Sequence, residues 1–312
     1  MKTAMIQYLY LGRVGYEEGL RLQAKIAELV TAGRLPNVLL LLEHPPVLTL
    51  GRNADRANVL ASEELLARRG VTVHEINRGG DVTYHGPGQL VGYPIFDLRS
   101  LRNPSGGRMG PVDFVRGMEE ALIRLCGVFG VPAGRICGLT GVWCGQDAGV
   151  RDQGSGISSP TGDNLHDQTG SGAERKIGAI GIHVARGITS HGFAFNVTTD
   201  LRDFQLIVPC GIPDHAVTSL EYEVQQPRDL PSLEAVAHEA ARQFGLVFDQ
   251  QVLAVESLEA LRSSHPCDKE RRENGAPNHG AAKAEFPAED TPVRVPAEVE
   301  RLVHKEGRPI QA

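Results

Sequence analysis

The stretch Asn37–His44, which reads NVLLLLEH, constrains the fold more than any other part of the chain. Successive side chains of a strand point to opposite faces of its sheet. An unbroken apolar run of strand length therefore predicts a strand that is buried on both faces. We place it in the middle of a sheet.

Other stretches carry the periodicity of strands or helices in an irregular order. Alternating apolar residues predict strands, and apolar residues spaced by three and four predict helices. The predicted strands are 4–11, 37–44, one within 45–52, 71–76, 81–85, 90–96, and two around 133–144. The predicted helices are 16–33, 62–70, 112–129 and 232–244, with Ser62 as a cap and Gly33, Gly70 and Gly130 as stops. Several connections have hairpin length, which favours an α+β layered fold over a regularly alternating, doubly wound one.

Two stretches lack this patterning. Residues 145–173 are rich in Gly, Ser, Asp, Gln and Thr, and cannot bury enough apolar surface to become ordered. They are predicted to form a long disordered loop. Residues 263–312 are charged, contain proline and are poor in large apolar groups, which predicts a disordered C-terminal tail. We expect one domain over residues 1–255, interrupted by the loop.

Composition excludes several classes of function. The net charge is −6 with both signs mixed along the chain, which argues against nucleic-acid binding because phosphates require a basic surface. The five cysteines are Cys126, Cys137, Cys144, Cys210 and Cys267. Their odd number and the lack of a C-x-x-C pair argue against a zinc site or a disulfide framework, and favour reduced thiols.

No apolar run approaches the roughly 20 residues that span a bilayer, so no membrane association is expected. Gln7 and two tyrosines interrupt the first apolar run, which makes it a poor signal peptide. We expect a cytoplasmic protein.

The stretch from Lys176 to Gly211 carries the strongest candidate for catalysis. Two alternating runs predict paired strands, and a short loop then places Cys210 between Pro209 and Gly211. Proline fixes the backbone before the thiol and glycine frees it afterwards, which predicts a sharp, exposed turn. A thiol becomes an effective nucleophile when its thiolate is generated or stabilised. Lys176, at the start of the first run, can do either if it lies beside Cys210.

A second candidate is the glycine-rich stretch 78–89, RGGDVTYHGPGQ. Its glycines allow a ligand to approach the backbone closely, and Arg78, Tyr84, His85 and Gln89 supply charge and hydrogen bonds. Such a loop can wrap one end of an extended ligand and orient its carbonyl. A tight hairpin with a surface histidine is the structural alternative. The stretch lacks the patterns of a phosphate-binding loop and of a dinucleotide fingerprint.

Histidines and serines give no comparable signal. Ser190 and His191 are neighbours on a predicted strand, so their side chains should point to opposite faces, and no G-x-S-x-G is present. The histidines also lack metal-ligand spacing, so no metal site is predicted.

Taken together, five segments resemble the octanoyltransferase family, the lipoate–protein ligase B type, of lipoic acid biosynthesis. They are EHPPVLTLGR, RGGDVTYHGPGQLVGYPI, KIGAIGI, TSHGFAFNV and VPCGI followed by TSL, and they span roughly residues 4–250 in family order. The resemblance implies a mixed β-sheet flanked by helices, similar to the catalytic domain of biotin and lipoate protein ligases. The insertion 145–173 and the tail have no family counterpart.

The resemblance also implies a reaction. An octanoyl group moves from the phosphopantetheine thioester of acyl carrier protein onto a lysine of a lipoyl domain. The acceptors would be the lipoyl domains of 2-oxoacid dehydrogenase complexes and the glycine cleavage H protein. No cofactor is expected, because the thioester already supplies the activation.

The same resemblance implies roles for individual residues. Cys210 matches the position that carries the acyl group as a thioester, and Lys176 matches the assisting lysine. The positions matching the acyl-binding segments are Arg78, Gly79, Gly80, Asp81, Val82, Thr83, Tyr84, His85, Ala179, Ile180, Gly181, Gly192, Phe193 and Ala194.

Two other functions remain open at this point. An ATP-dependent lipoate or biotin ligase on the same fold would need no catalytic thiol and would use free octanoate. A non-catalytic module that binds acyl carrier protein would tolerate the loss of Cys210.

Overall fold

The structure is a computed structural model that describes residues 5–145, 174–212, 215–224 and 230–263. The predicted disordered loop lies outside the described residues except for Gly145, and the predicted tail does so except for Ser263. Both therefore stay predictions, as does the expected extent of the domain.

Strands and helices follow one another in a mixed order. The strands are β1 Met5–Arg13, β2 Asn37–Glu43, β3 Val47–Leu50, β4 Thr72–Glu75, β5 Val82–His85, β6 Gln89–Ile95, β7 Gly134–Ile136, β8 Leu139–Cys144, β9 Arg175–Ala185, β10 Ile188–Asn196, β11 Ala216–Val217 and β12 Gln251–Ala254. The α-helices are α1 Tyr16–Thr31, α2 Glu63–Arg68, α3 Pro111–Val128, α4 Leu220–Glu223, α5 Leu233–Phe248 and α6 Leu258–Ser263.

A large mixed sheet forms the centre of the described chain. Its strand order is β12-β1-β2-β6-β10-β9-β8-β7, and β11 pairs with β9. The pairs β12–β1 and β1–β2 are parallel, whereas β2, β6, β10, β9, β8 and β7 pair antiparallel along that order. β2 lies between β1 and β6 and is buried almost throughout, which confirms the prediction of a central strand.

Alternate residues of β2 feed two separate cores. Leu39 and Leu41 pack with apolar residues of α3 and α5, whereas Leu40 packs with residues of α1 and α6. Helices therefore cover both faces of the large sheet. This arrangement confirms the predicted α+β class and explains why nearly every residue of β2 is apolar.

A small three-stranded sheet, in the order β4-β3-β5, carries the glycine-rich stretch. Leu48, Val82 and Tyr84 pack with Phe204 in a third core beneath it. Because β5 alternates, its other two side chains are free to point the opposite way, towards the large sheet.

All the predicted strands and the four predicted helices are present, within a few residues of their predicted ends. Ser62 caps α2 by accepting a hydrogen bond from the Leu65 N–H at 3.3 Å, as predicted. The elements β11, α4, β12 and α6 were not predicted, because two to six residues are too short to establish a periodicity. Within the described residues, no helix has both the length and the apolarity to cross a membrane.

Candidate active site

A cavity of about 180 Å³ lies where β5 of the small sheet faces β6, β9 and β10 of the large one. It is comparable in size to an engineered apolar cavity of about 150 Å³ that accepts benzene. Its walls combine apolar and polar side chains, namely Tyr16, Arg78, Gly80, Asp81, Thr83, His85, Val91, Tyr93, Thr140, Lys176, Ala179, Ile180, Gly181, His191, Gly192, Phe193, Ala194, Cys210 and Ile212.

Cys210 reaches this cavity from a single 3₁₀ turn, Pro209–Gly211. Its φ and ψ are 56° and 19°, in the left-handed region that residues with a Cβ rarely adopt. Gly211 follows at a φ of 68°. A non-glycine residue in this region costs on the order of 1–3 kcal/mol, and such strain is concentrated at functional sites. The sharp turn predicted from Pro-Cys-Gly is present, and it leaves Cys210 half-buried.

Two side chains from outside the turn hold it in place. Asn58 donates from Nδ2 to Asp81 Oδ2 at 2.6 Å, and its carbonyl accepts from the Val208 N–H at 2.7 Å. A Cβ on Gly211 would collide with Asp81 Oδ2, so only glycine fits there. The Cys210 turn is thus fixed against the glycine-rich loop by the Asn58–Asp81 pair.

Lys176 lies in β9 and lines the same cavity as Cys210. Only 7% of the residue is exposed. Its Nζ makes no hydrogen bond to the Cys210 Sγ, and lies instead 4.6 Å from the ring centre of Trp143. The structure therefore brings the predicted thiol and amine to one cavity, without a hydrogen bond between them.

Arg78 fixes the loop that forms the opposite wall. It donates from Nη2 to the Thr49 carbonyl at 2.6 Å and from Nη1 to the Gly79 carbonyl at 3.0 Å. Burial lowers the pKa of Arg78 from its usual value, although the guanidinium remains charged at neutral pH. A buried positive charge beside the thiol favours any negative charge that develops there.

A chain of hydrogen bonds leads from this wall to the strand that carries Lys176. Gln89 Nε2 donates to Asn196 Oδ1 at 2.9 Å, which leaves Gln89 Oε1 as an acceptor. His85 Nδ1 lies 2.7 Å from this oxygen and donates to it. Asn196 donates to the Thr218 carbonyl at 2.9 Å, and the Thr218 N–H donates to the Lys176 carbonyl at 2.9 Å. The glycine-rich wall and β9 are thereby tied together.

Most of the predicted site residues line the cavity. Those that do are Arg78, Gly80, Asp81, Thr83, His85, Lys176, Ala179, Ile180, Gly181, Gly192, Phe193, Ala194 and Cys210. Val82 and Tyr84 do not, because alternation along β5 turns them into the third core. Gly79 does not line the cavity either, and its N–H donates to the Ile182 carbonyl of β9 at 3.0 Å.

Six further residues line the cavity without having been predicted, namely Tyr16, Val91, Tyr93, Thr140, His191 and Ile212. Val91 and Tyr93 are alternate residues of β6 and therefore lie on one face of the sheet. Once either is known to face the cavity, the other can be predicted to do so. His191 has a φ of 57°, and its N–H donates to Gln23 Oε1 at 2.7 Å. Sequence alone gives no signal for that contact, because Gln23 lies in α1, far from His191 along the chain.

Three buried histidines should make stability depend on pH. Burial lowers the pKa of His44 and His191 to about 4, and that of His85 to about 3. The unfolded chain binds these protons at about pH 6.5. As the pH falls below 6.5, the unfolded state binds protons that the folded state does not bind, so the free energy of unfolding decreases. Each histidine should lower the free energy of unfolding by about 1.4 kcal/mol per pH unit, until the pH reaches the pKa of that histidine in the folded state.

Urea unfolding at pH 7.5 and pH 5 tests this expectation, since carboxylates stay largely ionised in that interval. The free energy of unfolding should fall by several kcal/mol, and His44→Gln should reduce the fall by about one third. An unchanged free energy across the interval would contradict the neutral, buried state of these histidines.

The chain is similar in sequence to known proteins over most of its length. Residues 15–245 match the family model described as the lipoyl protein ligase A/B catalytic domain. An octanoyltransferase of Acidobacterium capsulatum is 58% identical over 254 residues, which cover 81% of this chain and 94% of that protein. An octanoyltransferase of Koribacter versatilis is 49% identical over 257 residues, covering 82% and 90%.

Solved structures give the same fold at low identity. A bipartite lipoate protein ligase from Thermoplasma acidophilum aligns with a TM-score of 0.55 at 16% identity, covering 86% of this chain and 92% of that one. A lipoate-protein ligase A bound with ATP aligns with a TM-score of 0.54 at 16% identity, covering 86% and 95%. These neighbours confirm a mixed sheet flanked by helices, as in lipoate ligase catalytic domains. By the extent and identity of its sequence matches, the chain belongs to the octanoyltransferase family of acyltransferases.

Proposed function

We propose that this protein transfers an octanoyl group from acyl carrier protein to a lysine of a lipoyl domain, through a thioester on Cys210. Octanoyl transfer in protein lipoylation follows from the family, and lipoyl domains are the acceptors that it implies. The carrier-protein donor and the thioester are the finer parts of the proposal. The observation that supports the thioester is that Cys210, on a strained turn, shares a cavity with Lys176. The carrier-protein donor rests on the family resemblance alone.

In the first step, the Cys210 Sγ attacks the octanoyl carbonyl of the incoming thioester. A new carbon–sulfur bond forms, and the bond to the pantetheine sulfur breaks. Attack by the thiolate form of Cys210 leaves Lys176 protonated. Lys176 then passes this proton to the departing thiolate. Splitting one difficult transfer into two steps through an enzyme thioester lowers the barrier of each.

In the second step, the neutral amine of the acceptor lysine attacks the Cys210 thioester. The carbon–nitrogen bond forms and the carbon–sulfur bond to Cys210 breaks. Lys176, now neutral, accepts the proton that the amine loses, which restores the starting proton count. Lys176 thus acts as general acid in one half-reaction and as general base in the other.

An oxyanion forms on the substrate in each step and needs hydrogen-bond donors. The N–H groups of Gly211 and Ile212 are occupied within the turn, at 3.0 Å each from the carbonyls of Val208 and Pro209. Within the described residues, the N–H groups of Cys210 and Gly80 donate to no other group. We assign the oxyanion site to these two, each worth about 3 kcal/mol of transition-state stabilisation.

The apolar wall of the cavity accounts for an acyl chain of medium length. Ile180, Phe193 and Val91 line it together with the alanines of β9 and β10. Burying one methylene contributes about 0.8 kcal/mol. A hexanoyl donor, shorter by two methylenes, should lower kcat/KM by about fifteenfold. Steady-state assays with hexanoyl and octanoyl acyl carrier protein measure this ratio, and equal values for the two would contradict burial of the chain in this cavity.

One assay separates this function from its alternatives. The purified protein is mixed with an apo-lipoyl domain and either octanoyl acyl carrier protein or free octanoate with ATP and Mg²⁺. We expect octanoylated lipoyl domain with the carrier protein alone. Product from octanoate and ATP would identify a ligase. No product from either donor would leave only a binding function and overturn the proposal.

A further inference from the structure

The ammonium of Lys176 rests on the face of an aromatic ring. Its Nζ lies 4.6 Å from the centre of the Trp143 ring, within the distance at which a cation is attracted to the π-system. Among the described residues, no hydrogen bond or ion pair to this Nζ competes with that contact. Tryptophan is the strongest of the aromatic partners for a cation, and exclusion of water strengthens the attraction.

The pairing of β8 with β9 creates this contact. Trp143 stands directly opposite Lys176, whereas Val142 stands opposite Gly178, so β9 carries one extra residue between the two pairs. Side chains of directly opposite residues project from the same face of a sheet. A bulge of this kind changes the direction of a neighbouring side chain and is frequent beside active sites. Here it accompanies the Lys176–Trp143 pair.

The stem of Lys176 passes a glycine of β8, the strand that also carries Trp143. A Cβ on Gly141 would lie 3.3 Å from the Lys176 Cε and 3.7 Å from its Cδ. Gly141 and Trp143 are alternate residues of β8, so the stem passes a bare backbone before the head group reaches the indole. The Gly141 N–H donates at 3.0 Å to Oε1 of Glu119, a fully buried carboxylate. This part of β8 is therefore held in place from the α3 side.

Trp143 itself is held by packing. The ring is fully buried, and its Nε1 donates to no group in the part of the chain that the structure describes. The His215 ring contacts it edge-on, at 5.0 Å between ring centres. What Trp143 offers to Lys176 is the face of its ring, because its one polar group takes no part in the contact.

The geometry points to Trp143 as a positioning residue, whose indole face holds the Lys176 ammonium at the cavity that Cys210 also lines. A free lysine side chain has many rotamers, and fixing one in advance removes that entropy from the reaction. This inference rests on the proposed function in that it takes Lys176 to be the group that transfers the proton. The contact itself can be measured without turnover.

Fluorescence tests the contact directly, because the chain contains a single tryptophan. Replacing Lys176 by methionine keeps the stem but removes a charge next to the indole, so the emission of Trp143 should shift in wavelength or intensity. Lys25→Met is the matched control, because Lys25 pairs with Glu28 on α1 at 3.1 Å and should leave the emission unchanged. Identical emission of wild type and Lys176→Met would overturn the inference, whatever the activity of the protein.

Kinetics test the positioning role. Trp143→Leu should lower kcat for octanoyl transfer by about 30-fold with KM for the donor unchanged, and Trp143→Phe by about fivefold, since a smaller π-face holds the ammonium less well. Leu125→Ala, which removes core volume elsewhere, controls for a general loss of packing. A kcat that is equal in Trp143→Phe and Trp143→Leu, or a change in KM alone, would overturn the inference. If both variants fail to fold, the fluorescence of Lys176→Met decides.

Discussion

Replacing Cys210 by serine should lower kcat/KM for octanoyl transfer by about three orders of magnitude or more. The substitution preserves the size and place of the side chain but exchanges a thiol, whose ordinary pKa is about 8.5, for a hydroxyl that stays protonated at neutral pH. Removing a nucleophile that acts together with its partner base costs nearly all of the chemistry that the two supply. Transfer from octanoyl acyl carrier protein to an apo-lipoyl domain measures the loss.

Cys137→Ser is the control for this substitution, because Cys137 is exposed and lies outside the cavity. It should retain wild-type activity. A Cys210→Ser protein whose kcat/KM for octanoyl transfer lies within tenfold of the wild-type value would show that the reaction does not need the thiol. The acyl group would then pass directly from donor to acceptor.

Replacing Lys176 by methionine should lower kcat by a factor of about 10²–10⁴, the usual contribution of a positioned general acid or base. Methionine keeps an unbranched stem of similar length, so the nearly buried site remains filled. Both half-reactions should slow, because the departing thiolate loses its proton donor and the acceptor amine loses its proton acceptor. Single-turnover measurements of each half-reaction provide the test.

Lys176→Arg separates the charge of this residue from its ability to exchange a proton. Arginine keeps the positive charge, but it does not give up its proton at any accessible pH. The retained charge still stabilises the departing pantetheine thiolate, which can leave unprotonated, so formation of the thioester should be less impaired than its transfer to the lipoyl domain, which requires a base. Equal impairment of both half-reactions in Lys176→Arg would contradict the assignment of Lys176 as that base.

The sequence was most informative where one residue type determines the local backbone. The Pro-Cys-Gly triplet predicted the sharp turn at Cys210, and the turn is present. The apolar run of β2 predicted a central strand, because burial on both faces leaves no position for a polar side chain. The alternating runs likewise predicted the β9–β10 pair.

Contacts between distant segments could not be predicted in this way. Tyr16 enters the cavity from the start of α1, and His191 adopts a left-handed backbone whose N–H is bound by Gln23. Neither contact leaves a periodicity in the sequence. The position of Trp143 under Lys176 depends on a one-residue shift in strand pairing, which no local pattern of either strand reveals. Conversely, the prediction treated all residues of the glycine-rich segment alike. In the structure Val82 and Tyr84 face a core, whereas Thr83 and His85 face the cavity.

The most direct test of the covalent mechanism is the intact mass of the protein after brief mixing with octanoyl acyl carrier protein in the absence of acceptor. Wild type should gain the mass of one octanoyl group, peptide mapping should place it on Cys210, and addition of an apo-lipoyl domain should remove it. Wild-type protein that turns over without ever carrying the group, or a Cys210→Ser protein that carries it equally, would contradict the thioester on Cys210.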